Sequence, residues 1–328
     1  MTVSTIFSAL LATTDFVALD VGAAHWLPHH WRIYQNEFAY VLVEPDQDAC
    51  AELRSLAATL PSGAERIRVV PAALSGSGGR RTLYRLNSPT GSSLLPPHLP
   101  EDDIATFYRY PKIDNPTNVF PVTEIPLDTV TLADVLKAES LPGFHMIKLD
   151  TQGTELEIVL GLGPALDDTV LIQLEAGDHE FYAGQPSLAT TMAALNDRGF
   201  RLYDLQLARS EMPLRGSPDQ LYSRHVFASG PQGDPAYVTR LHEVDAVFIR
   251  DPAAAVKKGD ADGLRRIMTA MCVYRLFGDA YQLTGLGEMA GLWDGLAASR
   301  YRRDIRRAHQ FLRSHLDAGY RLYWENIG

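Results

Sequence analysis

Cysteine is scarce. Cys50 and Cys272 are the two in 328 residues, far apart and in no C-x-x-C pair. A disulfide framework is not expected; reduced core thiols in a cytosolic protein are. Long apolar runs are missing as well. The N-terminus, MTVSTIFSALLATTDF, has no basic region and a short apolar patch. Neither a signal peptide nor a membrane span is expected there, but a short helix leading into the first strand. Positive charge is in deficit: 30 Lys and Arg face 40 Asp and Glu, a formal net charge of −10. That argues against a nucleic-acid or anionic-membrane binder. There is no low-complexity tract and no repeat of solenoid length.

The glycines that a dinucleotide-binding turn needs are also missing. Phe16 to Val21 reads as a buried strand that stops at Gly22 within FVALDVGAAHW. An apolar run of this kind suits the first strand of an open parallel sheet, in which ligands sit beyond the carboxyl ends of the strands. A G-x-G-x-x-G turn would lay a diphosphate against bare backbone and a helix N-terminus. The turn here is Gly22-Ala23-Ala24-His25, with one glycine. It leaves room for a nucleoside without phosphates, of which S-adenosylmethionine is the commonest. Asp20 can place a carboxylate beside the same gap.

The rest of the chain keeps a β-α-β rhythm with one interruption. Tyr40 to Val43 is predicted as the second strand, ending at Glu44, with Asp46 capping a helix whose apolar positions run Ala49, Leu53, Leu56, Ala57 and Leu60. Ile67 to Val70 is the third strand. Gly76 to Gly79 then reads as a hairpin turn before a strand over 81–86. Residues 87–126 are rich in proline and loop residues and suggest a lid or substrate loop. Rhythm returns with a helix at about Leu132 to Glu139 and a strand Met146 to Asp150. The turn Thr151-Gln152-Gly153, a helix Thr154 to Leu160 and a strand Val170 to Leu174 ending at Glu175 follow. A helix at about Leu188 to Arg198, a strand at about Arg201 to Leu207 and a last strand Ala246 to Ile249 complete the core. From Asp251 the composition turns to Ala, Leu, Arg and Gly, with helices predicted over 261–277 and 292–317. Arg300 to Arg313 carries six arginines, read as a solvated face or an oligomer surface. The expected division is 1–252 for the catalytic domain and 253–328 for a helical extension.

Three stretches resemble FkbM-type S-adenosylmethionine-dependent methyltransferases: FVALDVGA, VLVEP, and above all IKLDTQGTELEIVLG at 147–161. The last carries D-x-x-G-x-E-x-x-x-L through Asp150, Gly153, Glu155 and Val159-Leu160. Thr151-Gln152 stands where the family usually has Val-Glu. The resemblance spans roughly residues 15–250, and Ser92-Ser93-Leu94 and Glu175 fall within its pattern. It implies an α/β, Rossmann-like, doubly wound and mostly parallel sheet of the class I methyltransferase type. It further implies methyl transfer from S-adenosylmethionine to a hydroxyl of a sugar, glycan or natural-product acceptor.

Methyl transfer needs the acceptor oxygen, the methyl and the sulfur in line, and a group to take the acceptor's proton. Candidate cofactor-binding residues are Asp20, Gly22, Ala23, Glu44, Pro45, Ala73 and Asp150. Glu44 is the ribose anchor, since an acid at this strand end can accept both hydroxyls. Asp150, Glu175 and His179 are the catalytic candidates; a carboxylate serves as base for an alcohol only if burial raises its pKa. Ser92, Ser93, Glu175 and His25 are the candidate substrate contacts. A divalent ion on Asp150, Glu175 and His179 is a minor alternative, and no metal is expected. Trp26, Trp31 and Tyr108 could stack on a sugar, although core roles are commoner. Expected partners are a small-molecule or glycan acceptor and, through the C-terminal helices, a second copy. The competing readings are a nicotinamide-dependent oxidoreductase and a non-catalytic assembly module. The one-glycine turn and the lack of a Tyr-x-x-x-Lys dyad count against the first.

Overall fold

The computed structural model describes residues 6–12, 15–24, 26–60, 63–87, 89–97, 122–177, 180–210, 226–227 and 240–315. Eleven strands occur among them: β1 (Val17–Val21), β2 (Ala39–Val43), β3 (Ile67–Val70), β4 (Ala73–Leu74), β5 (Gly79–Arg85), β6 (Thr123–Val130), β7 (Met146–Leu149), β8 (Leu171–Gly177), β9 (Phe200–Ser210), β10 (Val226–Phe227) and β11 (Arg240–Arg250). Eight form one sheet in the order β10-β9-β11-β8-β7-β1-β2-β3. β3, β2, β1, β7 and β8 are parallel neighbours. β11 runs against both β8 and β9. The fold is an α/β, Rossmann-like, doubly wound sheet of the class I methyltransferase type. Its order reverses between β1 and β7, because the chain winds outward from β1 to β3 and then returns to β7 on β1's other side. A ligand crevice belongs at that junction.

Both faces of the sheet are covered, which is why its central strands are apolar throughout. On one face Leu19, Ile147, Leu149, Ile172 and Leu174 pack with Leu132 and Val135, Ile158 and Val159, and Leu195. Those partners come from the helices Leu132–Ala138, Glu155–Leu160 and Leu188–Asp197. On the other face Ala18, Tyr40, Leu42, Met146, Leu171 and Val247 meet Leu53 of the helix Gln47–Ala58. They also meet Leu264, Ile267, Met268 and Met271. These four belong to Ala261–Val273, the second of four C-terminal helices: Pro252–Lys258, Ala261–Val273, Phe277–Met289 and Gly295–His315. Burying each such side chain contributes about 1.5–3 kcal/mol. The C-terminal helices therefore seal a sheet face and do not hang beside it.

Local chemistry sets the helix ends. Asp46 accepts from the Asp48 and Ala49 amides, the cap expected there. Thr131 and Asp134 form a reciprocal capping box. Gly259 closes the first C-terminal helix in a left-handed conformation at φ +71°.

Four expectations are corrected. Gly76 to Gly79 is no hairpin turn, because β4 and β5 do not pair; β6 lies between them in a separate sheet, β4-β6-β5. The stretch 87–126 ends in β6, whose Pro126 sits opposite Thr82 on β5; most of the remainder, 98–121, lies outside the described residues. Residues 6–12 form turns and not a helix, held by Asp304, which accepts from the Ala9 and Leu10 amides at 2.6 and 3.1 Å. The C-terminal region holds four helices where two were expected.

Candidate active site

The register of the strands builds a polar layer into an otherwise apolar face. Asp20 on β1 pairs with Lys148 on β7, and Lys148 with Gln173 on β8. Side chains two residues apart share a face, so Asp150 follows Lys148 and Glu175 follows Gln173. Glu175 in turn pairs with Asp245 on β11. Four carboxylates and one lysine thus line the carboxyl edge, centred on the β1–β7 junction. Lys148 Nζ stands 3.5 Å from Asp20 Oδ1 and 3.5 Å from Asp150 Oδ2.

Asp20 is 2% exposed. Burial pushes its carboxyl up to about 6, with Lys148 pulling against that and Asp150 adding to it. Asp245 is also pushed up to about 6, by burial and then by Glu175. Asp150 is raised as well, by desolvation first, then by the like charge of Glu175, against the pull of Lys148. It differs in access: 44% of its side chain reaches solvent, so it stands at the mouth of the layer.

The turn after β7 is shaped by its own glutamate. Glu155, 4% exposed, folds back so that Oε1 accepts from the Thr151 amide at 2.8 Å and Oε2 from the Gly153 amide at 2.9 Å. Burial, then Glu175, pushes it up to about 8. The spacing D-x-x-G-x-E is thereby explained: the glycine takes φ +102° and the acid locks the turn. Between them Gln152 sits at φ +58°. Its Nε2 donates to Asp150 Oδ1 at 3.1 Å and to Glu175 Oε2 at 2.8 Å.

Gly22 takes φ +78°, and a Cβ there would stand 2.1 Å from the Asp150 carbonyl oxygen. Its freedom is thus spent on the close approach of β7 to β1. The Gly22 and Ala23 amides both donate to the Val43 carbonyl, at 3.0 and 3.3 Å. Glu44, beside them at the end of β2, is 6% exposed and accepts from the Asp46 amide at 2.9 Å. Pro45 is exposed. Ala73 belongs to β4 and pairs with Thr129. Ser92 Oγ accepts from the Leu86 amide, and buried Ser93 donates to the Gln152 carbonyl at 2.6 Å. The segment carrying the two serines therefore lies over the turn at 151–153. Trp31 is core, fully buried. His25, His179 and Tyr108 lie outside the described residues.

The structure thus brings Asp20, Asp150, Glu175 and Ser93 to one place, with Gly22, Ala23 and Glu44 on the adjoining strand ends. Sequence reasoning missed Asp245, Gln173, Tyr182 and Tyr274. Tyr182 OH approaches the Gly91 carbonyl at 2.6 Å and Gln152 Oε1 at 3.0 Å. Tyr274, just after the helix Ala261–Val273, donates to Gln173 Oε1 at 2.7 Å and receives from Trp31 Nε1 at 3.3 Å. A signal existed for two of them: Gln173 and Asp245 interrupt apolar strands, as Lys148 does. Among the described residues no group of three or more His, Cys, Asp or Glu is arranged to hold a metal.

The chain is similar to a 2-O-methyltransferase, NoeI, of Sinorhizobium fredii: 28% identical over 197 residues, 57% of this chain and 74% of that protein. Among solved structures, a methyltransferase FkbM of Methylobacillus flagellatus is 13% identical over 73% of this chain and 45% of its own, with a TM-score of 0.37. A precorrin-6y C5,15-methyltransferase of Geobacter metallireducens is 11% identical over 75% and 86%, with a TM-score of 0.33. The family description Methyltransferase FkbM domain matches residues 20–202, more than half of the chain, beginning at the buried Asp20 and taking in the whole Asp150–Glu155 turn. The chain belongs to the FkbM methyltransferase family.

Proposed function

We propose that this methyltransferase uses S-adenosylmethionine and methylates a hydroxyl of a sugar, glycan or natural-product acceptor. The observation that carries the reading is the charge of the polar layer. Among the described residues Asp20, Asp150, Glu175 and Asp245 share the layer with Lys148, which makes its described part net negative. A carboxylate set of this kind suits a ligand bearing a sulfonium and an ammonium. It opposes a diphosphate, which counts against the nicotinamide alternative. The name of the NoeI protein supports oxygen as the atom methylated.

When bound, S-adenosylmethionine supplies a methyl group made reactive by its sulfonium. The chain's own part is to position and to move one proton. Buried Asp20 and Glu44, on neighbouring strand ends, are the residues for the cationic and ribose portions. Asp150, half-open to solvent and raised in pKa, is the acceptor-facing base, with Glu175 beside it. Lys148 keeps Asp20 and Asp150 apart in charge while holding both.

Two tests follow. Glu44→Ala should abolish cofactor binding detectable by calorimetry; unchanged affinity would remove Glu44 from the site. Incubating the full chain with S-adenosylmethionine and neutral oligosaccharides should add the mass of one methylene to an acceptor, and Asp150→Asn should cut that rate by about 10²-fold or more. Methylation on nitrogen or carbon in place of oxygen would overturn the assignment of the acceptor atom.

A further inference from the structure

We infer that Gln152 is a positioning residue, whose side-chain amide holds Asp150 and Glu175 side by side as an acceptor-facing pair. The inference rests on the proposed reading that these two carboxylates face the acceptor. Its physical basis is the donor count. A primary amide nitrogen carries two hydrogens, and here each meets a different carboxylate, Asp150 Oδ1 at 3.1 Å and Glu175 Oε2 at 2.8 Å. Hydrogen bonds to an ionised acceptor stabilise the ionised form.

The amide is itself held on three sides. Its oxygen lies 3.0 Å from the Tyr182 hydroxyl, whose one hydrogen it shares with the Gly91 carbonyl at 2.6 Å. Its backbone carbonyl accepts from Ser93 Oγ at 2.6 Å. Its backbone sits at φ +58°, in a region that residues with side chains rarely adopt. A residue held there by a loop hydroxyl and a tyrosine, with both donors committed, is a strut and not a spacer.

The charged surroundings make the strut necessary. Asp20 approaches from β1, Lys148 and Asp150 from β7, Glu175 from β8, Asp245 from β11, and Glu155 from the helix below the turn. Tyr182 comes from the following loop and Tyr274 from the C-terminal helices. Among the described residues Lys148 contacts Asp20 and Asp150. Gln152 is the neutral group that reaches both members of the outer pair. A glutamate at position 152 would place a third carboxylate between them, and the pair would have to take up a proton.

The test compares the full chain with Gln152→Glu and Gln152→Leu. Side-chain carboxyl signals are followed by carbon NMR across pH, and are assigned by their loss in Asp150→Asn and Glu175→Gln. Both Gln152 variants should bind protons at the pair about tenfold more tightly or more. The acid limb of the methyl-transfer pH profile should move upward by the same factor, while thermal unfolding confirms the fold. A merely structural role would lower stability and leave the titration in place. If a folded Gln152→Leu chain titrates as the parent does, the inference is wrong; should that variant not fold, Gln152→Met, of similar length and without donors, decides in the same way. Failure to methylate any acceptor would sink the proposed function, yet the carboxyl titration would still decide what Gln152 does.

Discussion

Gly22 illustrates how far a single position can be read. Its lack of a Cβ was legible as a place for close approach. What approaches was not: the Asp150 carbonyl fills the space, brought there by strand pairing across more than a hundred residues of chain. Gly22→Ala should therefore destabilise by about 3 kcal/mol or more in urea unfolding. Gly79→Ala is the control, with φ +90° but no atom within 4 Å of an added Cβ; it should cost about 1–2 kcal/mol. Equal losses would remove the steric part of the argument. Glu155 gives a pH test at the same scale. Its folded-state carboxyl, at about 8, lies above the ordinary 4.5, so the folded chain binds that proton more tightly. The stability it contributes is full below about pH 4.5 and is lost as pH rises through about 8. Glu155→Gln should flatten stability against pH over that window, measured by urea midpoints; a parent chain already flat there would contradict the shift. Asp20, Asp150 and Glu175 were legible because acids at strand ends announce a site. Asp245 was marked only as an interruption of an apolar strand, and an acid inside a strand looks the same whether its neighbours bury it beside other acids or leave it at an edge.

Elements were legible where burial imposed one residue type for several positions. β1, β2, β7 and β8 are sandwiched between two helical layers, and their apolar runs say so. β6 escaped because it belongs to a small outlying sheet. Its side chains are exposed or half-buried except for buried Thr129, and a proline stands within it at 126. The C-terminal helices were visible as helices, yet their place was not, since an apolar stripe does not name the surface it covers. That surface is the sheet itself, and Tyr274 ties the two together through Gln173. Tyr274→Phe should cost about 1 kcal/mol, with an unchanged urea slope. Heat unfolding followed by circular dichroism and by tryptophan fluorescence should give one coincident transition. Trp31 reports from beneath the sheet and Trp293 from the extension. Two separated transitions would show that the extension folds apart from the sheet.

At the scale of the whole molecule, a chain of net charge −10 concentrates four carboxylates at the one junction where the sheet reverses its winding. No described helix is long and apolar enough to cross a membrane. Five of the six arginines of the last helix are exposed, and Asp304 on that helix pins the N-terminal turn. Everything functional in the account depends on the buried negative charge at β1 receiving a cationic nucleoside. The direct measurement is a calorimetric titration of the full chain with S-adenosylmethionine, and separately with NAD, between pH 5 and 8. One equivalent of S-adenosylmethionine should bind, with affinity constant above about pH 6 and falling below it as Asp20 takes up its proton; NAD should not bind, and a folded Asp20→Asn chain should lose at least tenfold in affinity. Binding of NAD in place of S-adenosylmethionine, or full affinity for S-adenosylmethionine in Asp20→Asn, would contradict it.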